Sequence, residues 1–261
     1  MPLALVLWGC PGDKESDPQP DPEPLREKTC FIKEISFASH RKGYGRKAFT
    51  SRYYYDQQNL LLRVTMDSAG TTFSTMNLTY NNGKQLVESF TDYVRVLHTY
   101  NAKGQLINQK TFYLHPDKGP IEQDRFTFRY NGNNELEEAL FYNIILGDAY
   151  LTSIWKYTYS NGDPVQIERK TPEGERLLLA YLTYDTKKNF KWNLPSIMSF
   201  VPTLDAKAAH NVLSHKSIDS YFGAKNYTSV YTYNDEGYPV TEARTYAEGY
   251  QEQVTYSYTC Q

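Results

Sequence analysis

The sequence predicts an all-β protein: one large antiparallel meander of repeated hairpins, curling into an open or closed barrel-like sheet, with one short helix in a late insertion. The first of two observations behind this is a tyrosine-led turn. It recurs as Tyr80-Asn81-Asn82-Gly83, Tyr100-Asn101-Ala102-Lys103-Gly104, Tyr130-Asn131-Gly132, Tyr159-Ser160-Asn161-Gly162 and Tyr233-Asn234-Asp235-Glu236-Gly237, with degenerate copies at Tyr55-Asp56 and Tyr184-Asp185. The second is the pattern on either side of each turn. Alternating residues lead in, and an apolar residue (Leu86, Leu106, Leu136, Val165 or Val240) opens the run that leaves. Asn, Asp and Gly tolerate the left-handed backbone of a tight reversal, so each copy reads as a β-hairpin. Seven turns at two strands each give roughly fourteen strands or more.

Within the incoming strands, period-2 spacing puts Phe126, Phe128 and Tyr130 on one face, and likewise Trp155, Tyr157 and Tyr159. Thr127, Arg129, Lys156 and Thr158 fall on the other face, which is therefore wet. Outgoing runs such as Leu106 to Phe112 and Val240 to Tyr246 are more polar and suit a sheet solvated on at least one side.

The turn spacing jumps between Tyr184 and Tyr233, so an insertion sits there. Leu204, Ala208, Ala209, Val212 and Leu213 fall at helical spacing, which predicts a helix within Thr203 to Ser214, with Thr203 or Asp205 as its cap. Trp192 to Pro202 reads as an ordered apolar crossing, and crossing and helix together are expected to plug or cover part of the sheet.

Residues 1–10 are a short apolar run ending in Leu7-Trp8-Gly9-Cys10, which reads as a lipoprotein signal remnant with a lipobox-like cysteine. Residues 11–29 are rich in proline and acidic residues, cannot bury enough to offset ordering entropy, and read as a disordered tether. Residues 30–261 form a single hairpin-repeat domain, since no linker interrupts the repeat. With Cys10 lipidated, Cys30 and Cys260 remain, one opening the folded region and one nearly closing it. Oxidation in an envelope compartment would pair them and tie the first strand to the last.

These features together resemble the Bacteroidetes lipoprotein family of unknown function described as having a porin-like fold. The resemblance spans about Cys30 to Gln261 and rests on the lipobox-like Cys10, the Pro/Asp tether, the cysteine of the first strand and the serial tyrosine hairpins. The turn is also similar, more weakly, to the YD repeats of Rhs-type proteins. The family resemblance implies a barrel-like meander and no catalytic residues. It also implies a lipid anchor in the outer membrane, on the periplasmic or the surface side, and the acidic residues after Cys10 resemble the surface-export signal of Bacteroidetes lipoproteins, which favours the surface.

A membrane-spanning barrel would need strands of about 9–11 residues with an unbroken apolar outer band. Here Arg63, Lys110, Arg129, Lys156 and Arg169 interrupt the strands, and mean hydropathy is -0.65, which favours a water-soluble domain. Net charge of -2 leaves no basic footprint for nucleic acid. The histidines His40, His98, His115, His210 and His215 are scattered, lack metal-ligand spacing and read as surface or cap residues, so no cofactor or metal is expected. Glu135, Glu137 and Glu138 read as a solvated strand face rather than a hydrolytic carboxylate pair. Two function classes follow. One is a non-enzymatic envelope lipoprotein binding a glycan, lipid or protein partner, with Trp155 and Trp192 as candidate stacking residues. The other is a hydrolase accessory to glycan uptake.

Overall fold

The computed structural model describes residues 29–41, 45–189, 194, 208–220 and 226–261. They form sixteen strands. The first eight are β1 (Cys30–Arg41), β2 (Gly45–Tyr55), β3 (Leu61–Ser68), β4 (Thr71–Tyr80), β5 (Leu86–Phe90), β6 (Val94–Tyr100), β7 (Leu106–His115) and β8 (Gly119–Tyr130). The rest are β9 (Leu136–Ile145), β10 (Asp148–Ser160), β11 (Asp163–Lys170), β12 (Arg176–Lys188), β13 (His210–Ser220), β14 (Tyr227–Tyr233), β15 (Pro239–Tyr246) and β16 (Gln251–Cys260). Each strand pairs antiparallel with its sequence neighbours and β1 pairs with β16, so the meander closes into a barrel.

The tyrosine turns share one construction. In the copies led by Asp56, Asn81, Asn101, Asn131 and Asn234, the backbone N–H of that residue donates to the carbonyl four residues on, at 2.9–3.0 Å. Its side-chain Oδ1 accepts the N–H of the same partner (Leu60, Gln85, Gln105, Glu135 or Tyr238) at 2.8–3.0 Å. The third residue on takes positive φ, and it is Asn59, Lys84, Gly104, Asn134 or Gly237. Gly83 and Gly132, prominent in the sequence pattern, are not at the left-handed position. Tyr159-Ser160-Asn161-Gly162 is tighter, with Asn161 and Gly162 both at positive φ in the manner of a two-residue type I′ turn.

Immediately after each of these turns the outgoing strand slips register by one residue. The bulge falls at Leu62, Val87, Ile107, Glu137, Val165 and Val240, because Leu61, Leu86, Leu106, Leu136, Pro164 and Pro239 pair with the turn tyrosine while the next paired residue lies two further on. Pro164 and Pro239, rather than Val165 and Val240, thus occupy the place that leucine holds in the other copies. A bulge bends its strand and increases local twist, and six of them along one rim supply the curvature that closes a sheet.

A second device ties the turns to each other. Tyr80 donates its hydroxyl to the Leu61 carbonyl (2.8 Å), Tyr130 to Leu106 (3.0 Å), Tyr184 to Pro164 (2.7 Å) and Tyr258 to Pro239 (2.7 Å). Each of these four tyrosines therefore reaches across to the start of the preceding strand, at the residue before its bulge, and stitches one strand end to the next. Tyr159 differs, because its hydroxyl oxygen accepts a hydrogen bond from the backbone of Leu136. Burial pushes the hydroxyls of Tyr80, Tyr100 and Tyr130 up to about 12.

At the seam, Thr29 and Gln261 exchange two backbone hydrogen bonds of 3.0 Å. Cys30 and Cys260 are the next pair inward, where antiparallel side chains stand closest, and they are joined by a disulfide across Cα atoms 4.0 Å apart.

Buried side chains alternate onto one face, which in a closed barrel is the inner face. One cluster joins Ile32, Tyr53, Leu61, Val64, Leu78, Leu86, Val254 and Tyr256 from β1 to β5 and β16. Another joins Ala139, Trp155, Ile167, Leu178, Ala180, Leu182 and Val212 from β9 to β13. Leu194, in the connection between β12 and β13, packs against the first cluster. Leu194 thus lies against the far sector, away from the β12 and β13 strands that bound the connection. The base of the connection is held by the buried Asn189, whose Nδ2 donates to the carbonyls of Ala208 and His210 at 3.3 and 3.0 Å. The helix expected within Thr203 to Ser214 is not found in its described part. His210 to Ser214 open β13, and residues 203–207 lie outside the described residues. The apolar spacing of Val212 and Leu213 is satisfied by a strand whose Val212 enters the β9–β13 core.

Candidate binding site in the barrel mouth

The barrel has two dissimilar ends. The tyrosine turns, the disulfide and the β12–β13 connection share one rim, while the short tips Ala69-Gly70 and Leu146-Gly147 lie on the other. Towards this second rim the inner face of β6 to β10 changes from apolar to polar. Register places His98, Gln109, Phe126, Phe141 and Ser153 side by side at one level. Val96, Thr111, Asp124 and Asn143 form the next level outward. The bulge in β10 brings Tyr150 opposite Asn143 at that level, while the bulge in β8 sets Ile121 opposite Tyr113 at the mouth, where Ile145 also lies.

Exposure rises steeply along this axis. Ser153 is 0% exposed, yet Tyr113 and Tyr150 on the same inner face are 40% and 51% exposed. The strands also part here. Pairing between β8 and β9 ends at Asp124 and Asn143, whereas β7–β8 continues to His115 and Gly119 and β9–β10 to Ile145 and Asp148. Two hairpins thus stand beyond the wall with a gap between them, flanked by Ile121 and Ile145. The level beneath holds two unmet hydrogen-bonding groups: His98 Nε2 and Ser153 Oγ are buried with no partner among the described residues. A buried polar atom left unpaired is costly and calls for a ligand or water. Burial pushes the His98 imidazole down to about 4, so it is neutral at physiological pH. Burial likewise raises the Asp124 carboxyl, partly offset by the Thr111 hydroxyl bonded to it.

A second set of internal polar groups is mutually committed. Glu242, 2% exposed, accepts from Ser229 (2.7 Å) and Tyr256 (2.8 Å) and pairs with Arg244 (2.8 Å). Burial alone would lower the Arg244 pKa, but Glu242 outweighs it and holds the guanidinium above its usual range. Asp163 bonds His210 Nδ1 at 2.7 Å, and Asp185 accepts from Asn211 Nδ2 (3.1 Å) and from the Tyr233 hydroxyl.

Trp155 is 7% exposed, packs in the β9–β13 cluster and has Arg169 5.1 Å over its ring, so it faces core rather than solvent. Trp192 and Cys10 lie outside the described residues. His98 and His215, expected at the surface, are both buried on the inner face, His215 stacked 5.5 Å from Tyr227. The cluster of metal-ligating types found among the described residues is Cys30, Glu236 and Cys260, and its two sulfurs are bonded to each other. Alternation along Glu242-Ala243-Arg244-Thr245-Tyr246 was the available signal for the buried network.

This architecture is a closed antiparallel barrel of sixteen strands among the described residues. It is similar to a porin-like protein from Bacteroides uniformis, with a TM-score of 0.60 and 16% identity over 87% of this chain and 96% of that one. It is also similar to one from Bacteroides vulgatus, with a TM-score of 0.52 and 12% identity over 88% and 99% of the two chains. A weaker match, with a TM-score of 0.29, covers 15% of a chain in the structure of TcdB2-TccC3-TEV. No protein-family model matches the chain, and neither does any curated protein.

Proposed function

We propose that the protein is a lipid-anchored envelope barrel that lies in water beside the outer membrane and binds a ligand without transforming it. The outer face of the barrel carries this reading. Arg52 pairs there with Glu34 and Asp67, Arg95 with Glu88, Arg125 with Glu122, Arg129 with Glu138 and Lys170 with Glu168. These pairs run from β1 to β11, where a membrane-spanning barrel needs an apolar band about 25 Å tall. Charges facing hydrocarbon are destabilising, whereas in water such pairs are near neutral in energy.

Attachment then falls to Cys10, acylated at the head of the tether. The tether joins the barrel at Thr29, on the disulfide rim, which leaves the open mouth of β6 to β10 pointing away from the membrane. The acidic residues after Cys10 support the cell surface as the side it occupies. Binding rather than catalysis is supported by the internal carboxylates Glu242, Asp163 and Asp185, each engaged by its own neighbours. In the native host, Cys10→Ala should move the protein from the membrane to the soluble fraction. Unchanged membrane fractionation would defeat the reading.

A further inference from the structure

The mouth over β6 to β10 has a chemistry that selects among ligands. Its two exposed inner tyrosines, Tyr113 and Tyr150, offer flat apolar faces with a polar edge. Beneath them lie the buried neutral hydrogen-bonding groups Gln109 and Thr111, and beside Tyr150 stands the exposed Asn143. Deeper still are the unpartnered Ser153 Oγ and His98 Nε2. The charged side chain at these two levels is an acid, Asp124, which disfavours an anionic ligand. An acyl chain would cover the polar floor without pairing it and would leave Ser153 and His98 unmet. A sugar has what this surface lacks: a C–H face to lie on an aromatic ring and a girdle of hydroxyls that both donate and accept. Sites of this kind, concave and aromatic with a few converging polar groups, are the ordinary form of a small-ligand pocket.

We propose that this mouth binds a neutral glycan, with sugar faces on Tyr113 and Tyr150 and hydroxyls reaching Asn143, Thr111 and, at the deepest point, Ser153. The assignment rests on reading the protein as a binding protein and adds the place and the ligand class. An extended peptide is the competing occupant, because the gap between β8 and β9 leaves the edge of Gly119 to Gln123 without a strand partner on that side.

Native gel electrophoresis of the full chain through amylopectin, xyloglucan or galactomannan tests it, with isothermal titration of the matching hexasaccharide. At least one polysaccharide should retard the protein saturably. Tyr113→Ala and Tyr150→Ala should each weaken the hexasaccharide at least tenfold, and Ser153→Ala should weaken it measurably. Tyr181→Ala, at an exposed tyrosine of the outer face, should leave it unchanged. Because Tyr113 and Tyr150 are exposed, their removal should leave the far-UV circular dichroism spectrum intact. No retardation by any of the three, or retardation indifferent to both tyrosine changes, overturns the proposal. So does saturable binding of an unstructured peptide that Tyr113→Ala and Tyr150→Ala abolish in the absence of glycan binding. Hydrolysis of a retained glycan would uphold the site while overturning the non-catalytic reading.

Discussion

Changing Tyr80, Tyr130, Tyr184 and Tyr258 together to phenylalanine should cost the barrel about 4 kcal/mol of unfolding free energy. Each hydroxyl donates to a carbonyl at the residue preceding a bulge, at 2.7–3.0 Å. A neutral intramolecular hydrogen bond of this kind contributes about 1 kcal/mol net. All four rings are half-buried and stay in place when only the oxygen is removed, so packing is unchanged. The four sites lie on β4, β8, β12 and β16, four strands apart. At about 4.8 Å per strand they exceed the range within which substitutions couple, and the costs should add. Urea unfolding followed by tyrosine and tryptophan fluorescence measures the difference, provided the slope is preserved. A single Tyr130→Phe should shift the midpoint by a quarter of the full effect. A quadruple variant that loses less than about 1 kcal/mol would refute the stitch as a stabilising device, since that is the expectation for one bond alone.

Two other outcomes follow. Reducing the Cys30–Cys260 disulfide, or replacing both cysteines with serine, frees a loop closed over a separation of 230 residues. The chain-entropy relation puts that at up to about 5 kcal/mol, read as a lowered urea midpoint under reducing conditions. Alkaline stability has a defined window. The folded pKa of Tyr80, Tyr100 and Tyr130 is about 12, against an ordinary value of 10.0, so the stability they confer is complete below pH 10 and is lost as pH rises through about 12. Tyrosinate absorbance should lag the unfolded chain across that interval; coincident titration curves would contradict the buried placement.

The hairpin repeat was legible because it is written in local chemistry. Asn81, Asn101, Asn131 and Asn234 each satisfy their own turn through a side-chain oxygen, and no distant residue is needed to recognise that. The mouth was not legible, and the bulges are the reason. Straight alternation from Leu106 directs Asn108, Lys110 and Phe112 inward, whereas the bulge at Ile107 inverts the phase and directs Gln109, Thr111 and Tyr113 there instead. The same inversion after Leu136 substitutes Ala139, Phe141 and Asn143 for Glu138, Leu140 and Tyr142. A one-residue slip changes the face of every later side chain, and nothing in the composition of a strand announces it. In the described part of the segment expected to be helical, pairing of β13 with β12 decided the outcome: Val212 enters the core and its neighbour Leu213 falls at a bulge.

Closure at β1 and β16 makes the folded chain a ring in all but name. Thr29 and Gln261 hydrogen-bond to each other, the disulfide lies one residue further in, and every other neighbouring pair of strands is consecutive in sequence. The position at which the polypeptide begins is then an accident of where that ring is cut. A chain whose ends are joined by a short linker and reopened at Ala69-Gly70 would retain every strand pairing, and the tether could be moved from the disulfide rim to the opposite one, turning the mouth towards the surface that now lies behind it.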